Sequence, residues 1–144
     1  MITAVLDTNV LASAILGFPR AASTPGELLR RWYDGAFTLV VSDHILTELG
    51  RTLSDQYFTS RLAPDQIAAA FEALRVDAVI QPILIPVQGV ATQPKDDVVL
   101  ATALSAGADY LVTGDKPLQA LGHYQAVKLL SPRQFLDLLD SEAP

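Results

Sequence analysis

Along the whole chain, short segments of Val, Ile, Leu and Ala alternate with longer stretches whose apolar residues recur every three or four positions. That alternation admits few architectures. Apolar segments at residues 2–6, 37–41, 79–87, 110–113 and 126–130 read as strands buried on both faces, the third broken by Pro82 and Pro86. Between them, residues 9–16, 27–33, 64–73 and 96–106 carry helical spacing. Another helix follows Ser42, a good N-cap, with Ile45, Leu46, Leu49 and Leu53 on one face. Gly107 is placed to end the helix before it, and Ser131-Pro132 to start the last one, which runs through Leu139. Residues 20–26 and 54–61 read as loops, 118–121 as one short turn, and 140–144 as a fraying tail.

Strands that alternate with helices pair in parallel, and helices then cover both faces. The expected fold is α/β: a three-layer α/β/α sandwich with a mostly parallel sheet of four to five strands. With 144 residues, no repeat and no linker-like stretch, residues 1–144 form a single domain. Hydrophobic residues make up 50% and charged residues 18%, which excludes a disordered chain. No apolar run approaches the roughly 18 residues that span a bilayer. The N-terminus has no basic segment followed by an apolar one, so a cytoplasmic protein is expected. Cys is absent, which removes disulfides, thiolate catalysis and Cys-held metals.

In a doubly wound sheet the ligand crevice lies beyond the carboxyl ends of the strands. Asp7 directly follows the first strand, and Asp115 lies two residues after the fourth. Asp96 and Asp97 open a helix whose start faces the same end. Glu48 falls about 60° from Ile45 on the helical wheel, at the rim of the buried stripe. Each acid also has a plain structural use: Asp7 and Asp96 as helix caps, Asp115 as a turn residue, Glu48 as a solvated helix residue. Two carboxylates about 4 Å apart repel by roughly 4 kcal/mol at an effective dielectric of 20. An ionised cluster therefore asks for a counter-charge, and hard oxygen donors without thiolates suit Mg²⁺ or Mn²⁺. Such an ion lowers the pKa of bound water and neutralises charge on a phosphodiester. Neither G-x-x-x-x-G-K nor G-x-G-x-x-G occurs, which argues against ATP or NAD chemistry.

Several segments resemble PIN-domain ribonucleases. Val5-Leu6-Asp7-Thr8-Asn9-Val10-Leu11 is similar to their opening, and Ser42 with Glu48-Leu49 to their second acidic motif. Pro94-Lys95-Asp96-Asp97 with Leu100, then Ala108-Asp109-Tyr110-Leu111-Val112-Thr113-Gly114-Asp115, resemble the third and fourth. Leu130-Ser131-Pro132 with Phe135-Leu136 fits as well, so the likeness covers almost the whole chain. It is nearest to the VapC-like branch, toxins of toxin–antitoxin systems. The resemblance implies a Mg²⁺- or Mn²⁺-dependent endoribonuclease with Asp7, Glu48, Asp96 and Asp115 as catalytic and metal-binding acids. Asn9, Thr113 and Asp97 would support the site. It further implies an RNA substrate, a cognate antitoxin and a homodimer. The sequence departs from the branch at Gln93-Pro94, where Asp-Pro is common. Asp96 is favoured over Asp97 as the ligand because it sets Leu100, Ala103 and Gly107 at the family's spacing.

The net charge of −6 leaves few cations for RNA, and Arg20 and Arg51 are the candidates for phosphate contact. Arg30 and Arg31 are also available, unless they only decorate a helix. His44 and His123 belong to no ligand pattern and read as surface or helix-start residues. Trp32, Tyr33 and Phe37 follow helix and strand periodicity and read as core or rim. Two rival readings remain. A haloacid-dehalogenase-like phosphatase also begins with Asp after strand one, but its D-x-D has Asn9 at the third position here. A catalytically silent PIN domain that binds RNA or protein is disfavoured by the presence of all four acids.

Overall fold

The structure is a computed structural model that describes residues 1–142. Its centre is β1 (Thr3–Leu6), from which Ala4, Val5 and Leu6 are withdrawn from solvent. β1 pairs in parallel with β2 (Thr38–Val41) on one side, Val5 opposite Val40. On the other side it pairs in parallel with β4 (Tyr110–Val112), Val5 opposite Leu111. Beyond β2 lies β3 (Val79–Ile80), and beyond β4 lie β6 (Val127–Leu130) and then β5 (His123–Tyr124). The six-stranded sheet has the order β3-β2-β1-β4-β6-β5, parallel except for the β5–β6 pair.

The chain thus moves outward from β1 through β2 to β3, then returns to the opposite side of β1 to make β4. Parallel crossovers are right-handed, so this reversal sends the connecting helices to opposite faces of the sheet. The result is a three-layer α/β sandwich. The same reversal makes the gap between the carboxyl ends of β1 and β4 the topological switch point, where a crevice is expected.

The helices are α1 (Thr8–Gly17), α2 (Thr24–Tyr33), α3 (Asp43–Leu53), α4 (Gln56–Thr59), α5 (Pro64–Asp77), α6 (Pro94–Ala106), α7 (Lys116–Gln119) and α8 (Pro132–Glu142). α3 starts where expected, with the Ser42 hydroxyl accepting from Ile45 N–H. α6 ends at Gly107 in the left-handed region, φ 62. α1 and α2 meet closely: a Cβ on Gly26 would stand 2.2 Å from the carbonyl oxygen of Gly17. Glycine is the residue that lets these two backbones touch.

Several boundaries differ from the sequence reading. α2 begins inside the expected loop, because Ser23 accepts from Gly26 N–H and Pro25 fits the first helical turn. The third strand is only two residues long, since the segment after Ile80 carries Pro82 and Pro86 and leaves the ladder. The sheet gains β5, an antiparallel edge formed when residues 125 and 126 turn the chain with Gln125 at φ 54. α4 occupies the expected 54–61 loop, and α7 starts two residues before the expected 118–121 turn. α8 continues to Glu142, past the expected end at Leu139. Of the tail at 140–144, residues 143–144 lie outside the described residues. No described helix is long and apolar enough to cross a membrane.

Candidate active site

The switch point opens into a narrow cavity of about 40 Å³. A water needs roughly 10–15 Å³ by this measure, so the space suits an ion with a few waters. Residues of three helices line it: Asp7, Thr8 and Asn9 at the start of α1; His44, Glu48 and Thr52 along one side of α3; Lys95, Asp96 and Val99 from the first turns of α6. Helix N-termini carry partial positive charge, which partly offsets the gathering of carboxylates.

Asp7 is the most buried of the acids lining the cavity, 8% exposed. It is both a cap and a cavity residue. Its Oδ1 accepts from Val10 N–H at 3.0 Å, as a helix cap does, while its Oδ2 accepts from the Thr113 hydroxyl at 2.5 Å. Thr113 is fully buried and is itself held: Asp115 N–H donates to its Oγ1 at 3.0 Å, and Gln119 Nε2 donates to its carbonyl at 2.6 Å. One chain of hydrogen bonds therefore links the ends of β1 and β4 and fixes the Asp7 carboxylate. Asp115 caps α7 by accepting from Leu118 N–H at 2.9 Å. It does not line the cavity, but its charge reaches both Asp7 and Asp96.

Burial pushes the Asp7 carboxyl above its ordinary value, and the charges of Asp96 and Asp115 push the same way. The bonds from Thr113 and Val10 pull against that shift without cancelling it. Asp96 is raised too, first by burial, then by Asp115, with Lys95 opposing. This is the mutual repulsion expected of acids that share a site.

Asp96 and Asp97 part company. Asp96 lines the cavity. The Asp97 carboxylate instead accepts from three loop amides, Gly89 at 2.9 Å, Val90 at 3.2 Å and Ala91 at 2.7 Å. Asp97 therefore braces the approach to α6 from behind. Glu48 is steadied by an ion pair from Arg51 to its Oε1. Its helix is fixed to that of Asp96 by the buried hydroxyls of Ser42 and Thr102, bonded at 3.0 Å. Asn9 lines the cavity and is exposed.

The other predicted cations fall elsewhere. Arg20 lies past the C-terminal end of α1, a ten-residue helix, about 15 Å from the Asp7 end. Arg30 and Arg31 are both engaged by Glu27, and Arg31 also by Asp140. They fasten α2 to its surroundings. Of the lining residues the sequence did not single out, two are ionisable. His44 shares a helix face with Glu48 four residues on, and its buried Nε2 has no hydrogen-bond partner. Lys95 contributes a cation at the rim. The i,i+4 relation to Glu48 and the adjacency to Asp96 were the available signals.

Among the described residues, no three His, Asp or Glu side chains stand close enough to hold an ion unaided. Mg²⁺ characteristically takes one or two carboxylates and keeps several waters. The donors here fit that mode: hard oxygens and a cavity with room for an ion and a few waters.

A family model described as PIN domain matches residues 3–117. No curated protein matches the chain.

Proposed function

The chain belongs to the PIN-domain family, and on that footing we propose that it is a Mg²⁺- or Mn²⁺-dependent endoribonuclease. The fold is a nuclease fold, which sets aside the dehalogenase-like alternative. The observation that carries the reading is the meeting of Asp7, Glu48 and Asp96 in one ion-sized cavity with Asp115 beside it.

Asp7 and Asp96 would hold the cation, with Asp115 adding negative charge from the neighbouring strand end. When bound, the cation supplies the counter-charge for a phosphodiester and lowers the pKa of water. Thr113 sets the Asp7 oxygens in advance, so little ordering is left for the reaction itself. Glu48 offers Oε2, the oxygen that Arg51 does not engage, to take a proton from the attacking water. Asn9 sits where it can donate to substrate oxygen.

The narrower assignment follows the VapC-like resemblance: the toxin of a toxin–antitoxin pair, working as a cytoplasmic homodimer held in check by a cognate antitoxin. The test of the reaction is direct. Purified protein should cut a single-stranded RNA with Mg²⁺ or Mn²⁺ and stop with EDTA. Equal cleavage with chelator present would overturn the metal-dependent mechanism. Binding of RNA without any cleavage would favour the silent-module alternative.

A further inference from the structure

We infer that Lys95 is the residue that receives the substrate's phosphate, an assignment that rests on the endoribonuclease reading above. The difficulty for such an enzyme is electrostatic. The cavity mouth presents Asp7, Glu48, Asp96 and the nearby Asp115 to a polyanion, in a chain of net charge −6. A cation in the site neutralises part of this, but approach and registration need a fixed positive group.

Lys95 is the one cation among the cavity-lining residues. It is exposed and takes part in none of the ion pairs among the described residues. The arginines considered for phosphate contact do not serve: Arg51 is paired to Glu48, and Arg30 and Arg31 lie on α2, paired to Glu27. Its helical position also argues against a merely structural origin. Lys95 is the second residue of α6, where the helix dipole disfavours positive charge. Asp97, two residues on, makes no ion pair with it; that carboxylate accepts from the Gly89, Val90 and Ala91 amides. An uncommitted ammonium at a helix start, beside a cation-seeking acid cluster, matches the use of lysine as a point charge for phosphate. Its Nζ would donate to a non-bridging oxygen of the scissile phosphodiester as the strand settles over the carboxylates.

The rival use for Lys95 is as a fixed counter-charge for Asp96. The two uses predict different effects on RNA binding, so a neutral variant separates them. Lys95→Gln should leave the Mn²⁺ midpoint in a thermal-shift titration, run without RNA, unchanged or lower, since a positive charge beside the site is gone. The same change should weaken RNA. Binding is read by anisotropy of a fluorescein-labelled single-stranded RNA, in an Asp7→Asn background that does not cut it. One lost phosphate contact lowers the salt slope by about 0.7, which at 0.1 M salt is about fivefold in affinity. Lys95→Arg should restore most of the slope. Loss of Mn²⁺ response and RNA binding together, with a lower melting temperature, would make Lys95 structural and overturn the assignment. RNA bound by Lys95→Gln with the parent's affinity and slope would overturn it too, while cleavage by the wild type would leave the endoribonuclease reading standing. A wild type that cuts no RNA with either metal would remove both.

Discussion

Asp96 and Asp97 are neighbours of identical chemistry, and the structure gives them opposite work. Substituting each should therefore give opposite results. The Asp97 carboxylate is buried, 6% exposed, and accepts three loop N–H groups. Hydrogen bonds to a charged acceptor are each worth about 1.5–3 kcal/mol, but they do not add fully, and the loop amides can partly turn to water. Asp97→Ala should then cost about 3–5 kcal/mol. At roughly 2–4 °C per kcal/mol for a domain of this size, the melting temperature falls by about 10 °C or more. Asp97→Asn is milder. Its oxygen can keep Val90 and Ala91, while its amide faces Gly89 N–H and loses that bond, at about 1–3 kcal/mol. Asp96 accepts no hydrogen bond among the described residues and is disfavoured as an anion by burial and by Asp115. Asp96→Asn should not lower the melting temperature in EDTA. The decisive assay is a melt of each variant in EDTA and again with millimolar Mn²⁺. Wild type and Asp97→Asn should both rise with Mn²⁺, by about 2.7 kcal/mol at 100 times the dissociation constant. Asp96→Asn should lose most of that rise. An Asp96→Asn protein that melts well below wild type in EDTA, or an Asp97→Ala protein that melts with it, would refute the division of labour.

Three further outcomes follow from the geometry. Asp7 has a raised carboxyl pKa in the folded chain, so its ionised form opposes folding, and the stability held below its unfolded pKa is lost as pH rises through the folded one. Without metal, Asp7→Asn should thus gain on wild type as pH is raised from about 4 to 7, read as the difference between their urea midpoints; a constant difference across that range would contradict the shift. Gly26→Ala drives a Cβ against the Gly17 carbonyl oxygen; overpacking of about 3 kcal/mol, less about 1 kcal/mol of helix propensity, should leave a net loss near 2 kcal/mol in chemical denaturation. His44→Leu removes the unpartnered buried Nε2 and should stabilise the metal-free protein by about 1 kcal/mol while impairing cleavage; a loss of stability would show that the imidazole is satisfied within the fold.

Much of the architecture was legible because strand and helix signals in this chain are local. Short segments rich in Val and Leu became β1, β2, β4 and β6, and Ser42 and Gly107 became the cap and stop that their chemistry suggests. What stayed hidden depends on partners remote in sequence or on turns without their usual residue. The β5–β6 turn uses Gln125 at positive φ, where Gly or Asn would have announced it. The Ser23 cap was masked by a Pro/Ser/Thr-rich stretch that looks like a loop until Gly26 N–H is seen to need an acceptor. Asp96 and Asp97 differ by about 100° around a helix, and only the position of residues 89–91 decides which of them turns to the cavity. His44 belongs to no motif, Lys95 entered only as a neighbour of the acids in its motif, and both gained meaning only when α1, α3 and α6 met.

The sequence set helix cap against catalytic acid for Asp7 and Asp96, and turn residue against catalytic acid for Asp115; a bond that caps a helix does not exclude a second use of the same carboxylate. Asp7 caps α1 and Asp115 caps α7, and capping leaves each carboxylate with acceptor sites to spare. At Asp7 the cap bond to Val10 N–H takes one lone pair of Oδ1 and the Thr113 bond one of Oδ2. A carboxylate has about four such acceptor sites, so two remain. At Asp115 the cap uses Oδ2, and its backbone N–H holds the hydroxyl that holds Asp7. The caps thus orient the carboxylates at the switch point without using them up. Asparagine keeps a cap but brings no charge, which is why Asp7→Asn can leave the fold intact and still abolish what the fold is arranged to do. Placing acids at strand ends, as caps of the following helices, lets a doubly wound chain gather carboxylates at one end of its sheet from residues its secondary structure already needs.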